Sequence, residues 1–270
     1  MNIKRSEPVD RGFNKNDYFG WRCNEETAEN YIKLCKLAII NPEVFDNFKS
    51  YRLYKTILEH TLYDLGNLYL ENIQQNNPSL IESLDKFVEI NERIGNSNKA
   101  TFSTNGKYFV CSPTTIRYVK VLSDLITLFG SLDGMKIVEI GGGYGGLATI
   151  INTHFDIADY CNIDLKWPAK LSELYTSTLE VKPFRVRESN EINDFEDIDL
   201  IISNYAFSEC NLETREEYIN KILSKSKRGY ITHNGDDKRR DTTRMLIEKY
   251  ENFQVFYKDG VKKHPVFTWG

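Results

Sequence analysis

The sequence lacks the residues and runs that several classes of protein require. Its five cysteines include no C-x-x-C pair, so neither a disulfide framework nor a zinc site is predicted. No apolar run approaches the roughly 18 residues that span a bilayer, and the N-terminus carries no signal-peptide core. Only four histidines are present, which limits the candidates for proton transfer. These absences predict a cytoplasmic protein with reduced cysteines and no membrane span.

An excess of positive charge is also missing. The formal net charge is −4 and the pI is near 5.7, so no overall basic field would attract nucleic acid or an anionic membrane. Hydrophobic residues make up 40% of the chain and charged residues 27%, as in soluble globular proteins. The composition therefore disfavours nucleic acid as a partner.

Glycine, by contrast, is concentrated in one stretch, Met135-Lys-Ile-Val-Glu-Ile-Gly-Gly-Gly-Tyr-Gly-Gly146. Ile137, Val138 and Ile140 predict a buried strand, and helical spacing resumes at Leu147 after the glycines. Glycine lets the backbone turn sharply and approach a ligand closely, and a helix start presents free N–H groups. The stretch predicts a nucleotide-type binding site.

The acid ahead of the glycines indicates which ligand that site takes. Gly141, Gly143 and Gly146 satisfy G-x-G-x-x-G, so a dinucleotide site has to be considered. Glu139 suits a ligand with a cationic amino acid end, such as S-adenosylmethionine, whereas it would repel a pyrophosphate. An NAD(P)-dependent sugar oxidoreductase or epimerase stays the first alternative. Its Tyr-x-x-x-Lys pattern occurs only at Tyr51–Lys55, far upstream of the glycines, which counts against it.

Strands and helices alternate from Gly134 onward, which predicts an α/β fold with a doubly wound, mostly parallel sheet. The last two of its strands have no helix between them, which predicts an antiparallel terminal hairpin. The predicted strands are 136–140, 159–164, 184–187, 198–203, 228–233, 252–257 and 265–269. The predicted helices are 145–155, 168–180, 213–225 and 239–250.

The N-terminal part shows helical periodicity instead. After an irregular arm over residues 1–22, one helix is predicted from about Glu25. A second helix starts at Asn41-Pro42 and runs to about Ile73, and a third runs from an Asn cap at Asn77-Pro78 to Gly95. The aromatic residues of this part are expected to pack rather than to stack on sugars.

A hairpin and a further helix are predicted before the glycine stretch. Asn105-Gly106 lies between two β-prone runs within 101–110, and Ser112-Pro113 opens a helix that Gly130 closes. We therefore divide the chain into an N-terminal arm and helical cap, residues 1–99, and a cofactor-binding domain, residues 100–270. We expect the cap to contribute to acceptor binding or to self-association, giving a homo-oligomer.

The carboxyl end of each strand identifies a candidate ligand-binding residue, because ligands of such sheets lie outside the carboxyl ends of the strands. The second strand ends at Asp164, the place for a carboxylate that binds both ribose hydroxyls. The fourth strand ends at Ser203 and Asn204, and the fifth ends at His233. The candidates occur at successive strands, in the order Glu139, Asp164 and the turn after the fourth strand. This order favours a ligand site over a set of ordinary surface residues.

Four segments resemble a family of sugar O-methyltransferases of the class I, Rossmann-like type. They are 112–118 (Ser-Pro-Thr-Thr-Ile-Arg-Tyr), 138–148 (Val-Glu-Ile-Gly-Gly-Gly-Tyr-Gly-Gly-Leu-Ala), 199–209 (Asp-Leu-Ile-Ile-Ser-Asn-Tyr-Ala-Phe-Ser-Glu) and the terminal Thr268-Trp-Gly270. The resemblance covers about residues 100–270. It implies methyl transfer from S-adenosylmethionine to a hydroxyl of a sugar, sugar nucleotide or glycan, in surface-polysaccharide biosynthesis (capsule, O-antigen). The predicted cofactor residues are Glu139, Gly141, Gly143, Tyr144, Gly145, Asp164, Ser203 and Asn204.

Attack by a sugar hydroxyl requires a proton acceptor, because the hydroxyl pKa lies far above 7. His233 and Glu209 follow the fifth and fourth strands and are the predicted catalytic pair. One is expected to take the proton and the other to orient the sugar. A divalent metal held by Glu209, Asp236 and Asp237 is a less favoured activator, because these residues form no compact ligand triad.

Two further alternatives remain open. Amino-directed nucleic-acid methyltransferases usually carry Asn/Asp-Pro-Pro-aromatic after the fourth strand, where this chain has Ser-Asn-Tyr-Ala. A non-catalytic subunit that only binds the cofactor is not excluded by an intact glycine motif.

Overall fold

The computed structural model describes residues 25–193, 195–234, 238–257 and 264–270. The predicted N-terminal arm, residues 1–22, therefore lies outside the described residues. The helices of the N-terminal part are α1 (Glu25–Ile40), α2 (Pro42–Asn47), α3 (Arg52–Lys55), α4 (Tyr63–Asn76), α5 (Ser79–Glu82) and α6 (Leu84–Asn91). A hairpin of β1 (Ala100–Thr104) and β2 (Lys107–Cys111) follows.

Helix α7 (Pro113–Phe129) leads from the hairpin into the region of alternating strands and helices. The elements there are β3 (Lys136–Ile140), α8 (Gly146–His154), β4 (Asp159–Asp164), α9 (Lys166–Thr178), β5 (Arg185–Glu188), β6 (Ile198–Asn204), α10 (Ala206–Glu209), α11 (Leu212–Lys221), β7 (Ser226–Thr232), α12 (Lys238–Lys249), β8 (Gln254–Tyr257) and β9 (Pro265–Trp269). Within the described ranges, no helix combines the length and apolar character needed to cross a membrane.

Strands β3 to β9 form one seven-stranded sheet in the order β5-β4-β3-β6-β7-β9-β8. Strands β3 to β7 pair in parallel, whereas β9 runs antiparallel to both β7 and β8. The predicted mostly parallel sheet with an antiparallel terminal hairpin is confirmed. The strand order reverses between β3 and β6, so the carboxyl ends of these two strands flank the expected ligand crevice.

Both faces of the sheet are covered, which is why the central strands are almost continuously apolar. On one face, Ile137 of β3 and Leu200 of β6 pack with α7, α8 and α9. On the other face, Val138 and Ile201 pack with residues of α11 and α12, such as Tyr218 and Leu246. Neighbouring residues of one strand thus enter different cores, because side chains alternate across a strand.

The N-terminal helices extend the first of these cores. Leu34 of α1, Phe48 and Tyr54 belong to the same apolar cluster as Ile137 and Leu147 of the sheet domain. The hairpin joins the helices as well, since a Cβ on Gly66 of α4 would lie 2.8 Å from the Phe102 ring. The division near residue 99 stays a prediction, and the apolar core is continuous across it.

Three details of the predicted cap are wrong. The predicted third helix, from Asn77-Pro78 to Gly95, is interrupted between α5 and α6 and ends at Asn91. A single helix from 42 to about 73 does not form, because α2 and α3 are separated by a 3-10 turn and by extended backbone at Tyr51, and residues 59–62 before α4 are not helical. Tertiary contacts override the helical periodicity here, since the Lys49 amide donates to Gly95 O (2.8 Å) and its side chain is buried. Asn77 is not a helix cap either: its amide nitrogen donates to Ser123 Oγ (2.8 Å) on α7.

Other local predictions are confirmed. The Asn41 carboxamide oxygen accepts from Glu43 N (3.0 Å) at the start of α2, and Ser112 Oγ accepts from Thr114 N (3.1 Å) at the start of α7. Asn105 and Gly106 form the hairpin turn with positive φ angles of 50° and 75°. Cys35, Cys111, Cys161 and Cys210 are buried thiols that form no disulfide with one another, whereas Cys23 lies outside the described residues.

Candidate functional site

The glycine stretch forms a tight turn between β3 and α8. Gly141, Gly143 and Gly145 have positive φ angles of 73°, 58° and 85°, which L side chains rarely adopt. A Cβ on Gly141 would also lie 2.0 Å from the Cβ of Ala206, so the turn rests directly on the start of α10. Glycine at position 141 is therefore required both by its conformation and by this close approach.

Two carboxylates lie beside this turn: Glu139 is buried and Asp164 is half-buried. Asp164 accepts hydrogen bonds from Gly143 N (3.0 Å) and Leu165 N (2.7 Å), and Glu139 accepts one from the Tyr160 hydroxyl (2.8 Å). Burial raises the pKa of each carboxyl group to about 7. In the part of the chain that the structure describes, no lysine or arginine lies within ion-pair distance of either group.

Asn162 supports the turn and is a residue that the sequence reasoning missed. It lies opposite Glu139 in the β3–β4 pairing, and its side-chain oxygen accepts from Gly142 N (2.9 Å). Its amide nitrogen donates to Ser172 Oγ (3.0 Å) on α9. The sequence signal that could have identified Asn162 was a polar residue inside a strand of otherwise buried residues. Asn162 fixes the glycine turn to the strand beneath it.

The predicted residues at the end of β6 have different roles. Ser203 Oγ donates to Ile140 O (2.9 Å) and accepts from Phe207 N (3.1 Å), so it holds the turn, and a contact with the cofactor stays a prediction. The Asn204 side-chain oxygen accepts from Thr232 Oγ1 (3.3 Å). Its amide nitrogen is buried and has no hydrogen-bond partner among the described residues, so it is a donor available to a bound molecule.

Tyr144 turns its side chain away from the predicted ligand. Its ring is fully buried and lies edge-on to the rings of Tyr175 (centroids 4.9 Å apart) and Phe48 (5.6 Å). The Lys49 ammonium lies 4.2 Å from the centroid of the same ring, and Asn91 Nδ2 donates to the Tyr144 hydroxyl (3.4 Å). The Tyr144 side chain thus ties the glycine turn to the N-terminal helices, and only its backbone remains in the turn.

The N-terminal part also covers the turn from the outside. A Cβ on Gly143 would lie 2.6 Å from Cδ1 of Leu58, in the segment between α3 and α4. Glu59, the next residue, accepts a hydrogen bond from Ser112 Oγ (3.0 Å) at the start of α7. Leu58 therefore lies over the glycine that we expected to face the ligand, and nothing in its local sequence indicates this.

The two predicted catalytic residues, His233 and Glu209, both contact Asn234. The Asn234 carbonyl oxygen contacts His233 Nδ1, and the Asn234 amide nitrogen donates to Glu209 Oε1 (3.2 Å). His233 is buried with its ring centroid 5.0 Å from that of Phe267, whereas Glu209 is half-buried. Asn234 was not singled out from the sequence, although it directly follows His233. The structure brings His233 and Glu209 to one junction, and their catalytic roles stay predictions.

The metal alternative concerns residues that the structure does not describe. Asp236 and Asp237 lie outside the described residues. Among those that are described, no group of three His, Cys, Asp or Glu side chains could hold a metal ion.

Comparison with known proteins identifies solved structures with a similar fold. No protein-family model matches the sequence, and no curated protein matches it. Solved structures with a similar fold include a SAM-dependent methyltransferase from Aquifex aeolicus, with 17% identity over 56% of this chain and 88% of that chain (TM-score 0.43). An rRNA methylase from Streptococcus thermophilus shares 16% identity over 56% and 94% (TM-score 0.43). TrmK of M. capricolum, solved with S-adenosyl-homocysteine, shares 13% over 56% and 67% (TM-score 0.41).

The antiparallel β9 lies between β7 and β8 in the sheet. That placement distinguishes this sheet from an ordinary dinucleotide-binding fold. The fold is that of class I methyltransferases. The low identities and TM-scores of the matches leave the acceptor of this chain to be argued from its own residues.

The residues around the turn of this methyltransferase fold fit S-adenosylmethionine. Asp164 is a desolvated carboxylate that hydroxyl donors of a ribose would stabilise. Glu139 is a second desolvated carboxylate, and a ligand with a cationic end would lower its pKa. Asn204 adds a buried amide donor for a ligand oxygen. The donor set therefore suits a molecule with hydroxyl groups and a cationic amino acid end.

Proposed function

We propose that this protein is an S-adenosylmethionine-dependent O-methyltransferase that acts on a sugar hydroxyl. The observation that carries the proposal is the pair of carboxylates beside the glycine turn of a methyltransferase fold, buried Glu139 and half-buried Asp164, neither of which has an ion-pair partner among the described residues. A nicotinamide dinucleotide would bring a pyrophosphate towards Glu139, and the repulsion would be strong where water is excluded. S-adenosylmethionine brings hydroxyl donors and positive charge instead.

The sugar acceptor rests on sequence features. Segments 112–118 and 199–209 resemble sugar O-methyltransferases, and the second of them includes the turn after β6. The net charge of −4 disfavours a surface that tracks a phosphate backbone. Methylation of a sugar or glycan in surface-polysaccharide biosynthesis is the corresponding role.

The described residues indicate how the hydroxyl would be activated. The cofactor supplies an electrophilic methyl carbon. The acceptor hydroxyl requires a base in the transition state, and Glu209 is the more accessible member of the predicted pair. The amide of Asn234 donates to one carboxylate oxygen of Glu209, which supports Glu209 as an oriented proton acceptor.

His233 then has a positioning role. Its Nδ1 contacts a carbonyl oxygen, which can only accept, so Nδ1 carries a proton. This hydrogen bond holds Asn234, and Asn234 holds Glu209. We thus assign the proton acceptor to Glu209 and the orientation of the junction to His233.

Binding of the product cofactor is the first experiment. Isothermal titration calorimetry should detect binding of S-adenosylhomocysteine and no binding of NADH. Binding of NADH without binding of S-adenosylhomocysteine would overturn the assignment. Transfer of a labelled methyl group to a panel of sugar nucleotides, with tRNA and rRNA as competing acceptors, then identifies the acceptor class. Transfer to RNA alone would refute the sugar assignment.

The catalytic assignment is tested by one substitution and its control. Glu209→Gln should lower kcat by about 10²–10⁴, the range for losing a general base, with an unchanged affinity for S-adenosylhomocysteine. Glu213→Gln, on an exposed position of α11, is the matched control and should leave kcat unchanged. His233→Ala should lower kcat less than Glu209→Gln does, because it acts through Asn234. Wild-type turnover in Glu209→Gln would show that Glu209 is not the base.

A further inference from the structure

The hairpin of β1 and β2 is anchored to the fold through its inner face. The Phe102 ring stacks on the Tyr63 ring of α4 (centroids 5.0 Å apart), and Asn105 Nδ2 donates to Gln74 Oε1 (2.9 Å) near the other end of that helix. Phe109 lies opposite Phe102 in the ladder and is buried on the same face. The hairpin is therefore a sheet of two strands, which is marginally stable unless other elements pack on it.

The register of the hairpin determines which backbone groups of β2 point outward. Thr104 pairs with Lys107 across a two-residue turn, which makes them a pair that exchanges both backbone hydrogen bonds. Such pairs alternate along the ladder with pairs that exchange none. The backbone N–H and C=O groups of Tyr108 and Val110 therefore point away from β1. No described residue outside the hairpin is recorded as a hydrogen-bond partner of these groups.

The side chains along this edge of β2 are apolar and exposed. Tyr108 is 76% exposed and Val110 is 60% exposed, on the outer face of the hairpin. Soluble proteins usually protect such an edge with charged residues, proline or a bulge, whereas only Lys107 is charged in β2. The next outward N–H, that of Ser112, already donates to Glu92 Oε1. The open edge is thus confined to Tyr108 and Val110.

We propose that β2 pairs with β2 of a second copy of this chain, antiparallel and about a two-fold axis at Phe109, to form a four-stranded sheet. Tyr108 then lies opposite Val110 of the partner subunit. The two residues exchange both backbone hydrogen bonds, because their N–H and C=O groups are the ones that point outward. The two-fold axis generates the same pair a second time. This proposal is independent of the proposed cofactor and acceptor.

A copy of β2 matches this edge in hydrogen bonding, shape and charge. Its outward groups occur at the same two positions, so the two-fold register leaves none of them unpaired. Aromatic and β-branched side chains such as those of Tyr108 and Val110 stabilise each other as cross-strand neighbours. Lys107 lies about 14 Å along the strands from Lys107 of the partner subunit, so salt screens their repulsion. Few residues take part, so the dimer should be weak and dependent on concentration.

Proline at the edge tests the hydrogen bonds, because it removes an outward N–H and leaves the ladder between β1 and β2 intact. In sedimentation-velocity experiments, the wild-type protein should change from monomer to dimer between low micromolar and several hundred micromolar concentrations. Val110→Pro should raise the dimer dissociation constant by about 30–1,000-fold, since two donors are lost and two carbonyl groups lose their partners. Ser103→Pro, opposite Tyr108 on β1, makes the same change at the other edge and should leave the dimer intact.

Two double variants test the register and keep the proposal testable if proline unfolds the hairpin. Tyr108→Lys with Val110→Lys should give a monomer, because both pairs across the two-fold axis then carry like charges. Tyr108→Glu with Val110→Lys should dimerise, because the same pairs carry opposite charges. Far-UV circular dichroism and Tm establish that each variant is folded. Loss of the dimer in both folded double variants would contradict the register.

Three other results would overturn the proposal. A wild-type protein that stays monomeric at every concentration would exclude a second copy as the partner of this edge. A dimer that persists in Val110→Pro and in the double lysine variant would have its interface elsewhere. Equal weakening by Val110→Pro and Ser103→Pro would assign the effect to the stability of the hairpin and not to the edge of β2.

Discussion

Asp164→Asn should make the ligand-free protein more stable and the cofactor complex weaker. The substitution keeps the shape of the side chain and one oxygen that can accept from Gly143 N, but it removes a charge that burial disfavours. A residue that serves a ligand often lowers the stability of the fold in this way. The two effects have opposite signs, so a single variant tests both.

The size of the stability effect follows from the pKa of Asp164. Burial raises it from the ordinary value of 3.8 to about 7, a difference of about three units. Each unit corresponds to 1.36 kcal/mol, so above pH 7 the ionised group disfavours the folded state by at most about 4 kcal/mol. Below pH 3.8 the group is protonated in both states and has no such effect. The destabilisation of the folded state by ionised Asp164 therefore increases as the pH rises from about 4 to 7.

Asparagine also loses the hydrogen bond from Leu165 N, which reduces the gain by about 1 kcal/mol. At pH 8 we expect a net gain of roughly 1–3 kcal/mol, or about 3–10 °C in Tm for a chain of this size. At pH 4 we expect no increase. The exposed Asp156→Asn is the control and should show no pH-dependent difference.

Thermal unfolding by circular dichroism at pH 4, 6 and 8 measures the first effect, and calorimetry with S-adenosylhomocysteine measures the second. The affinity of Asp164→Asn should fall by about 10–100-fold, since the ribose hydroxyls lose a charged acceptor. A Tm difference that is the same at pH 4 and pH 8 would refute the desolvation argument. An unchanged affinity would refute the ribose contact.

Three further substitutions test other contacts of the site. Leu58→Ala should speed the association of S-adenosylhomocysteine in stopped-flow measurements, because Leu58 lies over Gly143; an unchanged rate would show that it does not obstruct entry. Gly141→Ala should destabilise the protein by about 2–4 kcal/mol in urea unfolding, since its Cβ would lie 2.0 Å from that of Ala206 at a positive φ; a loss below about 1 kcal/mol would contradict this. The wild-type protein should gain stability between about pH 8 and 10.5, and Lys49→Met should abolish this gain. Burial lowers the pKa of Lys49 to about 8, so the folded state binds fewer protons than the unfolded chain in that range and gains stability as the pH rises. The same rise in the variant would assign it to another group.

The sheet and its glycine turn were predictable from the sequence because their signals are local. Alternating strands and helices, an apolar run that ends at glycines and a final pair of strands without a helix each depend on neighbouring residues. The positions of Glu139 and Asp164 followed once the strand ends were known, because ligands of parallel sheets bind at the carboxyl ends of the strands.

The path of the N-terminal helices was not predictable in the same way. Helical periodicity continues through residues 42–73, yet the chain bends at Tyr51 so that Lys49 can be buried against Tyr144 and Tyr175. The partners of Lys49 lie 42 residues away, at Asn91, and 126 residues away, at Tyr175. Propensity describes each segment by itself, whereas the packing of distant segments decides where a helix is interrupted.

By itself, the sequence determined the methyltransferase fold, the glycine turn and the two carboxylates that flank it, because short-range patterns and strand order suffice for these. Only the tertiary structure decided that Tyr144 packs into the core, that Leu58 covers Gly143 and that Asn234 joins His233 to Glu209. These relations depend on the directions in which side chains from separate elements point, and no local pattern of residues encodes such directions.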